Sequence, residues 1–172
     1  MFIKATPYKY RILYTLLLTM LSTLMLLSAC GPQEIELPFE TIERSNYSPR
    51  YEERKPGLMI IANGDEIDQL TGFVTHRALS QLQELDYDKY FVVVAFLGWY
   101  HKVHEGIRIE QIIRQNNLVF IHAQVGEITG KDAISSPYHI VKVQKVGRWG
   151  TEIDFSLVID KDIVASLSHY IP

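Results

Sequence analysis

The sequence holds a single cysteine among its 172 residues, Cys30. No disulfide can close within the chain, and thiolate clusters for zinc or iron–sulfur centres are excluded. Other signatures are also missing. The chain has no Gly-x-Ser-x-Gly elbow, no Walker or dinucleotide spacing of glycines, and no HExxH pair. Gly126 and Gly130 flank too short a stretch for a phosphate loop, and Ser135-Ser136-Pro137 reads as a turn rather than a nucleophile. There is no internal repeat and no low-complexity tract. With these patterns gone, no catalytic residue and no cofactor is expected. Acidic residues are wholly lacking from positions 1–29, although the chain carries 20 of them.

The lone cysteine stands where a long apolar run ends. A basic head with Lys4, Lys9 and Arg11 leads into "ILYTLLLTMLSTLMLLS", residues 12–28, which carries no charge. Positive head, apolar middle and small-residue exit in that order describe a secretory signal peptide; the alternative is an uncleaved span, for which ~20 apolar residues are usual and the length here is borderline, so the exit decides. Leu27, Ser28 and Ala29 precede Cys30, and Gly31 follows. This junction resembles the lipobox of bacterial lipoprotein precursors. The resemblance implies that the sulfur of Cys30 receives a diacylglyceryl group, that residues 1–29 are removed, and that the new amino terminus is acylated. Two or more acyl chains make a lasting anchor where one does not. The expected location is therefore the bacterial cell envelope, on the extracytoplasmic side of a membrane.

Processing alters the charge. The chain has 17 basic and 20 acidic residues; without the three leader cations 14 face 20, a net charge of −6. Such a surface offers no general attraction to nucleic acid or anionic headgroups, so membrane contact should come from the acyl chains.

Residues 30–56 carry the anchor cysteine and four of the seven prolines, at 32, 38, 49 and 56, without a sustained apolar period. This composition predicts an extended tether reaching on the order of 30 Å. Residues 57–172 then suffice for one hydrophobic core. "GLMIIA" (57–62) fits a buried strand closed by Asn63-Gly64-Asp65, and a helical turn is expected from Asp65 to Gly72. Ala78, Leu79, Leu82 and Leu85 form one stripe over 75–86, the pattern of a helix lying on a core. Strands are expected at 90–98, 106–113, 117–127, 138–146 and 152–160, with a bulge where the alternation breaks at Gln111. The terminal segment starts like a strand and should pack on the domain. The fold class is mainly β with one flanking helix, a small antiparallel sandwich or open barrel of five to six strands.

Gly98 at a strand end, Gly106 at the return of the following loop, and Pro137-Tyr138 before a strand with Lys142 and Lys145 carry a second resemblance. Over roughly residues 85–145 the chain resembles the C-terminal domain family named after the protease complex subunit PrcB. The resemblance implies a small extracytoplasmic domain acting by contact, in the naming case as an accessory subunit of a surface protease complex. The loop "GWYHKVHEG" departs from the family, whose loop is typically rich in Lys, Pro, Thr and Gly.

The candidate partner-binding residues are Trp99, Tyr100, His101, His104, Tyr138 and Trp149, which this reading puts in loops and turns. Loop-borne Trp and Tyr bury large areas at small entropic cost. The expected function is that of a lipid-anchored binding or scaffold module for an envelope protein, plausible as a regulatory subunit of a protease complex. The alternative is a small-ligand or metal-binding lipoprotein using the 98–106 loop. His101 and His104 are the nearest approach to a metal pair, and His122, His139 or His169 would have to supply a third ligand. Intact-mass analysis of the amino terminus checks the lipobox: an acylated Cys30 terminus is expected, and an unprocessed Met1 terminus would overturn it.

Overall fold

The computed structural model describes residues 34–172, so the expected signal peptide 1–29 and the expected acylation at Cys30 lie outside the described residues. Eleven strands, one α-helix and one 3₁₀ helix are formed there. The strands are β1 (Glu34–Glu36), β2 (Phe39–Ser45), β3 (Gly57–Ile61), β4 (Tyr90–Phe96), β5 (Tyr100–His104), β6 (Ile107–Gln115), β7 (Leu118–Val125), β8 (Ile128–Ser135), β9 (Tyr138–Gln144), β10 (Thr151–Ile159) and β11 (Asp162–Ile171). A five-stranded sheet runs β1-β6-β7-β10-β11 and a four-stranded sheet runs β2-β9-β4-β3. Strands β5 and β8 form a separate two-stranded ribbon. All pairs are antiparallel except β7 with β10. The class is mainly β, as expected, and the sheets are not closed into a barrel. Eleven strands replace the five or six expected, because segments 34–45, 100–104, 128–135 and 162–171 are also paired.

One hairpin generates both sheets. Tyr90–Phe96 pairs with Tyr138–Gln144 in the four-stranded sheet, and Ile107–Gln115 pairs with Leu118–Val125 in the five-stranded sheet. Between them Tyr100 faces Ser135 and His104 faces Ile128 in the ribbon. Residues 90–144 are therefore a single long hairpin, closed by the two-residue turn Asn116-Asn117 with Asn116 in the left-handed region (φ 56°). The hairpin bends at the ribbon so that its two legs lie face to face. The expected bulge is present between Ile109 and Gln111, and two further register shifts lie within the ribbon. The loop expected at 98–106 is thus mostly strand β5.

The bend requires residues without side chains. Gly98 has φ +110°, a conformation that L side chains rarely adopt, and a Cβ there would lie 2.9 Å from the carbonyl oxygen of Arg54. A Cβ on Gly126 would lie 2.5 Å from that of Glu105. The backbone at both places passes too close to its neighbours for anything larger.

The core has two layers. Phe91, Val93 and Ala95 of β4 point between the sheets and meet Ile112, Ile121, Phe155 and Leu157. Val92, Val94 and Phe96 point the other way, beneath α1 (His76–Gln83) and the 3₁₀ helix (Gly64–Leu70). Burial on both faces explains why β4 reads as a continuous apolar run while β10 alternates. The helix begins at Thr75, whose hydroxyl accepts the Ala78 N–H at 3.2 Å, and it buries Ala78 and Leu82 of the expected stripe.

The tether expectation is corrected from Glu34 onward. Strand β1 pairs with β6, Leu37 is 1% exposed in the inter-sheet core, and β2 pairs with β9. Pro38, Pro49 and Pro56 fall outside the strands, and two short edge strands keep one side in solvent, so a polar composition is compatible with sheet. Residues 46–55 then strap the outside of the bend. Ser48 N–H donates to Ser136 O at 2.8 Å, Ser136 N–H to Asn46 O at 3.0 Å, and Trp99 N–H to Glu53 O at 2.8 Å, while Tyr51 stacks on Phe96 with ring centroids 4.3 Å apart. Gly98→Ala tests the bend: the strained φ and the clash with Arg54 should together cost about 3 kcal/mol of stability, read by denaturant unfolding.

Candidate functional site

The corner ribbon carries four of the six candidate side chains or their backbone. Trp99 and Tyr100 sit at its base and are half-buried. The Arg54 guanidinium lies 5.8 Å from the centroid of the Trp99 ring, and the His101 ring meets the same indole edge-on at 4.5 Å. Tyr100 packs against the inter-sheet core, so it supports the ribbon more than it offers contact. His101 and Lys102 are exposed, and the side chain of His104 is outside the described set. Two exposed apolar groups of the ribbon were not legible as contacts in the sequence: Ile128 and Ile134 of β8 are each 55% exposed. Their signal was the alternation of Ile128 and Ile134 with polar residues through "ITGKDAIS", diluted by a glycine and two charges.

Tyr138 is not a contact residue. It starts β9 opposite Phe96 and Ser45 and is fully buried beneath the helical layer, because the turn ends at Pro137 and the ladder begins one residue later. Its hydroxyl donates to Glu43 Oε1, and the Thr75 hydroxyl donates to Glu43 Oε2, so one carboxylate of β2 holds both β9 and the helix N-terminus. Burial pushes the phenol up, and the Glu43 carboxylate adds to the rise.

Trp149 is likewise turned inward. Its ring lies 5.3 Å from Phe91, and the Arg114 guanidinium stacks on it at 3.9 Å. Arg114 is 8% exposed and spends its donors on backbone carbonyls, reaching Asn116 at 2.8 Å and Arg148 at 2.7 Å. Desolvation lowers its pKa. The pair closes the end of the core and pins the 145–150 turn, where carbonyls without strand partners would otherwise lie buried and unpaired.

The histidines do not converge. No group of three or more His, Cys, Asp or Glu side chains able to hold a metal occurs among the described residues. His169 Nε2 lies 3.1 Å from Glu66 Oε2. His122 lines a shallow cleft of about 400 Å³ with Glu110, Asp160 and Lys161 on the outer face of the five-stranded sheet.

His139 is committed to the fold. At 2% exposure its Nδ1 accepts the Ile109 N–H at 2.9 Å, which makes Nε2 the protonated nitrogen that donates to Thr41 Oγ1 at 2.9 Å. One imidazole thus ties β9 and β2 to β6 of the opposite sheet, beside the register shifts of both β2 and β6. Burial, helped by the charges of Arg44 and Arg108, pulls its pKa down to about 4 from 6.5. A depressed histidine stabilises the fold while neutral, so its contribution is complete above the unfolded value and is lost as pH falls from 6.5 towards 4. The expected loss is on the order of 3 kcal/mol between pH 7.5 and 4. Denaturant midpoints across that range should show it, and His139→Gln should flatten the slope.

Compared with family models, curated proteins and solved structures, the chain finds no match in any of the three.

Proposed function

We propose that the chain is a lipid-anchored extracytoplasmic binding module, which holds an envelope protein against the corner ribbon. The lipobox around Cys30 supports the anchor, and the PrcB-type resemblance supports an envelope protease as the class of partner. The observation that carries the contact surface is the exposure of Ile128 and Ile134, each at 55%, on a ribbon braced by close-packed glycines and the 46–55 strap. Branched apolar side chains held in water on a rigid support gain free energy when a partner covers them, and little ordering entropy opposes that gain.

The test compares the full-length lipoprotein with an Ile128→Asp/Ile134→Asp variant in native membranes after mild crosslinking. Both side chains are solvent-exposed, so the variant should melt like the parent, within roughly 0.5 kcal/mol per site. A stoichiometric adduct with one envelope protein is expected for the parent and is lost in the variant. An adduct that survives in the variant would remove this surface, and a parent that never forms one would remove the binding-module reading.

A further inference from the structure

Beyond the far end of the ribbon the hairpin bends a second time, and a cleft of about 290 Å³ opens there. It is lined chiefly by Arg44, Glu105, Gly106, Arg108, Gln124 and Gly126. Its floor is fixed by the bend itself: Gly126 N–H donates to Gly106 O at 2.8 Å, and Glu105 N–H donates to Glu127 O at 2.9 Å. Two guanidiniums enter from different sheets. Arg44 comes from β2, where its backbone is paired with β9, and its guanidinium has no hydrogen bond or ion pair among the described residues. Arg108 comes from β6 and engages Glu110 through Nη2 alone, at 3.1 Å on the exposed surface, a kind of pair that contributes little. Both are close enough to bear on His139, which lowers its proton affinity in response. Like charges gathered at one cleft are unfavourable until an anion joins them, and each planar fork can grip a carboxylate in two places.

We propose that this cleft is a carboxylate-recognition site, which takes one acidic side chain of the protein that docks on the corner ribbon; it rests on the docking reading above. Continuity with the ribbon argues for a protein source. His104 and Ile128 form the last ribbon pair, and close beyond them on the two strands Glu105, Gly106 and Gly126 line the cleft. A partner segment covering Ile128 therefore brings its neighbouring side chain to the two arginines. Glu105 is exposed in the same lining and repels any anion, a penalty that grows with the ligand's charge and favours a single carboxylate over a phosphate dianion.

The experiment is a titration of the full-length chain in zwitterionic detergent, followed through the amide resonances of Gly106 and Gly126. The probes are a short acetylated and amidated peptide with one glutamate, its glutamine twin, inorganic phosphate, and phosphatidylglycerol vesicles. The glutamate peptide should shift both amides saturably and its twin should not. Arg44→Gln/Arg108→Gln should weaken binding by about tenfold or more, whereas Glu105→Gln should strengthen it severalfold. Equal responses to the twins, or parent-like binding by the double variant, would overturn the site. A stronger response to phosphate or to the vesicles would overturn its carboxylate assignment, and the two arms separate free phosphate from a headgroup. These probes need no partner, so a flat titration refutes the cleft and leaves docking through Ile128 and Ile134 untouched.

Discussion

The close passage of backbone against backbone at the bend is the constraint on which the rest of the molecule depends. A hairpin running from Tyr90 to Gln144 has far more apolar surface than a flat ribbon can bury, and it solves the problem by folding its two legs onto each other. That manoeuvre brings Phe91 from one leg against Phe155, which is itself paired beside the other leg, with ring centroids 5.8 Å apart. It is possible only where the strands carry no side chain at the points of contact. Gly98 and Gly126 meet that condition, and the strap of residues 46–55 fills the outside of the curve. The remaining strands, β1 to β3 and β10 to β11, extend the two sheets that the hairpin begins.

Folding a ribbon back on itself leaves polar backbone groups stranded at its irregular places, and two buried side chains answer for them. His139 takes up the Ile109 amide beside the bulge in β6. Arg114 takes up carbonyls on either side of the core's open end and lies on Trp149. Glu43 joins the phenol of Tyr138 to the cap of α1. The buried imidazole and guanidinium would each be costly alone in an apolar interior; each is worth keeping because an unpaired buried amide or carbonyl would cost as much again. The same economy removes Tyr138 and Trp149 from the surface. Aromatic residues near turns served the interior here, since the ends of a sandwich core need large flat groups to close them.

The corner keeps two of its isoleucines outside, Ile128 and Ile134. The ribbon forms a sheet of its own whose base, at Tyr100 and Ser135, is packed inward, while Ile128 and Ile134 stay exposed, and the cleft lies beside it at Gly106 and Gly126. Apolar contact at Ile128 and Ile134 and charge at Arg44 and Arg108 occupy one contiguous stretch, held by elements that are themselves packed on the core. Rigidity at such a surface favours recognition because little order has to be imposed on binding.

The local elements were written in the chain: the stripe from Ala78 to Leu82 made a helix, the alternation from Ile153 to Ile159 made a half-exposed strand, and the break at Gln111 made a bulge. Each depends on the spacing of apolar residues against a neighbour of either kind, which periodicity reports without knowing the neighbour. Pairing was not written there. Segment 34–56 has the composition of a tether and becomes two edge strands and a strap, because an edge strand stays polar on its open side while the link between the two buries Leu37. The 98–106 segment has the composition of a loop and becomes the hinge of the hairpin. Whether Tyr138, Trp149, Ile128 or Arg44 faces the core or the solvent was decided by which way the hairpin bent. That direction arises from contacts between residues dozens of positions apart, and no local window contains them.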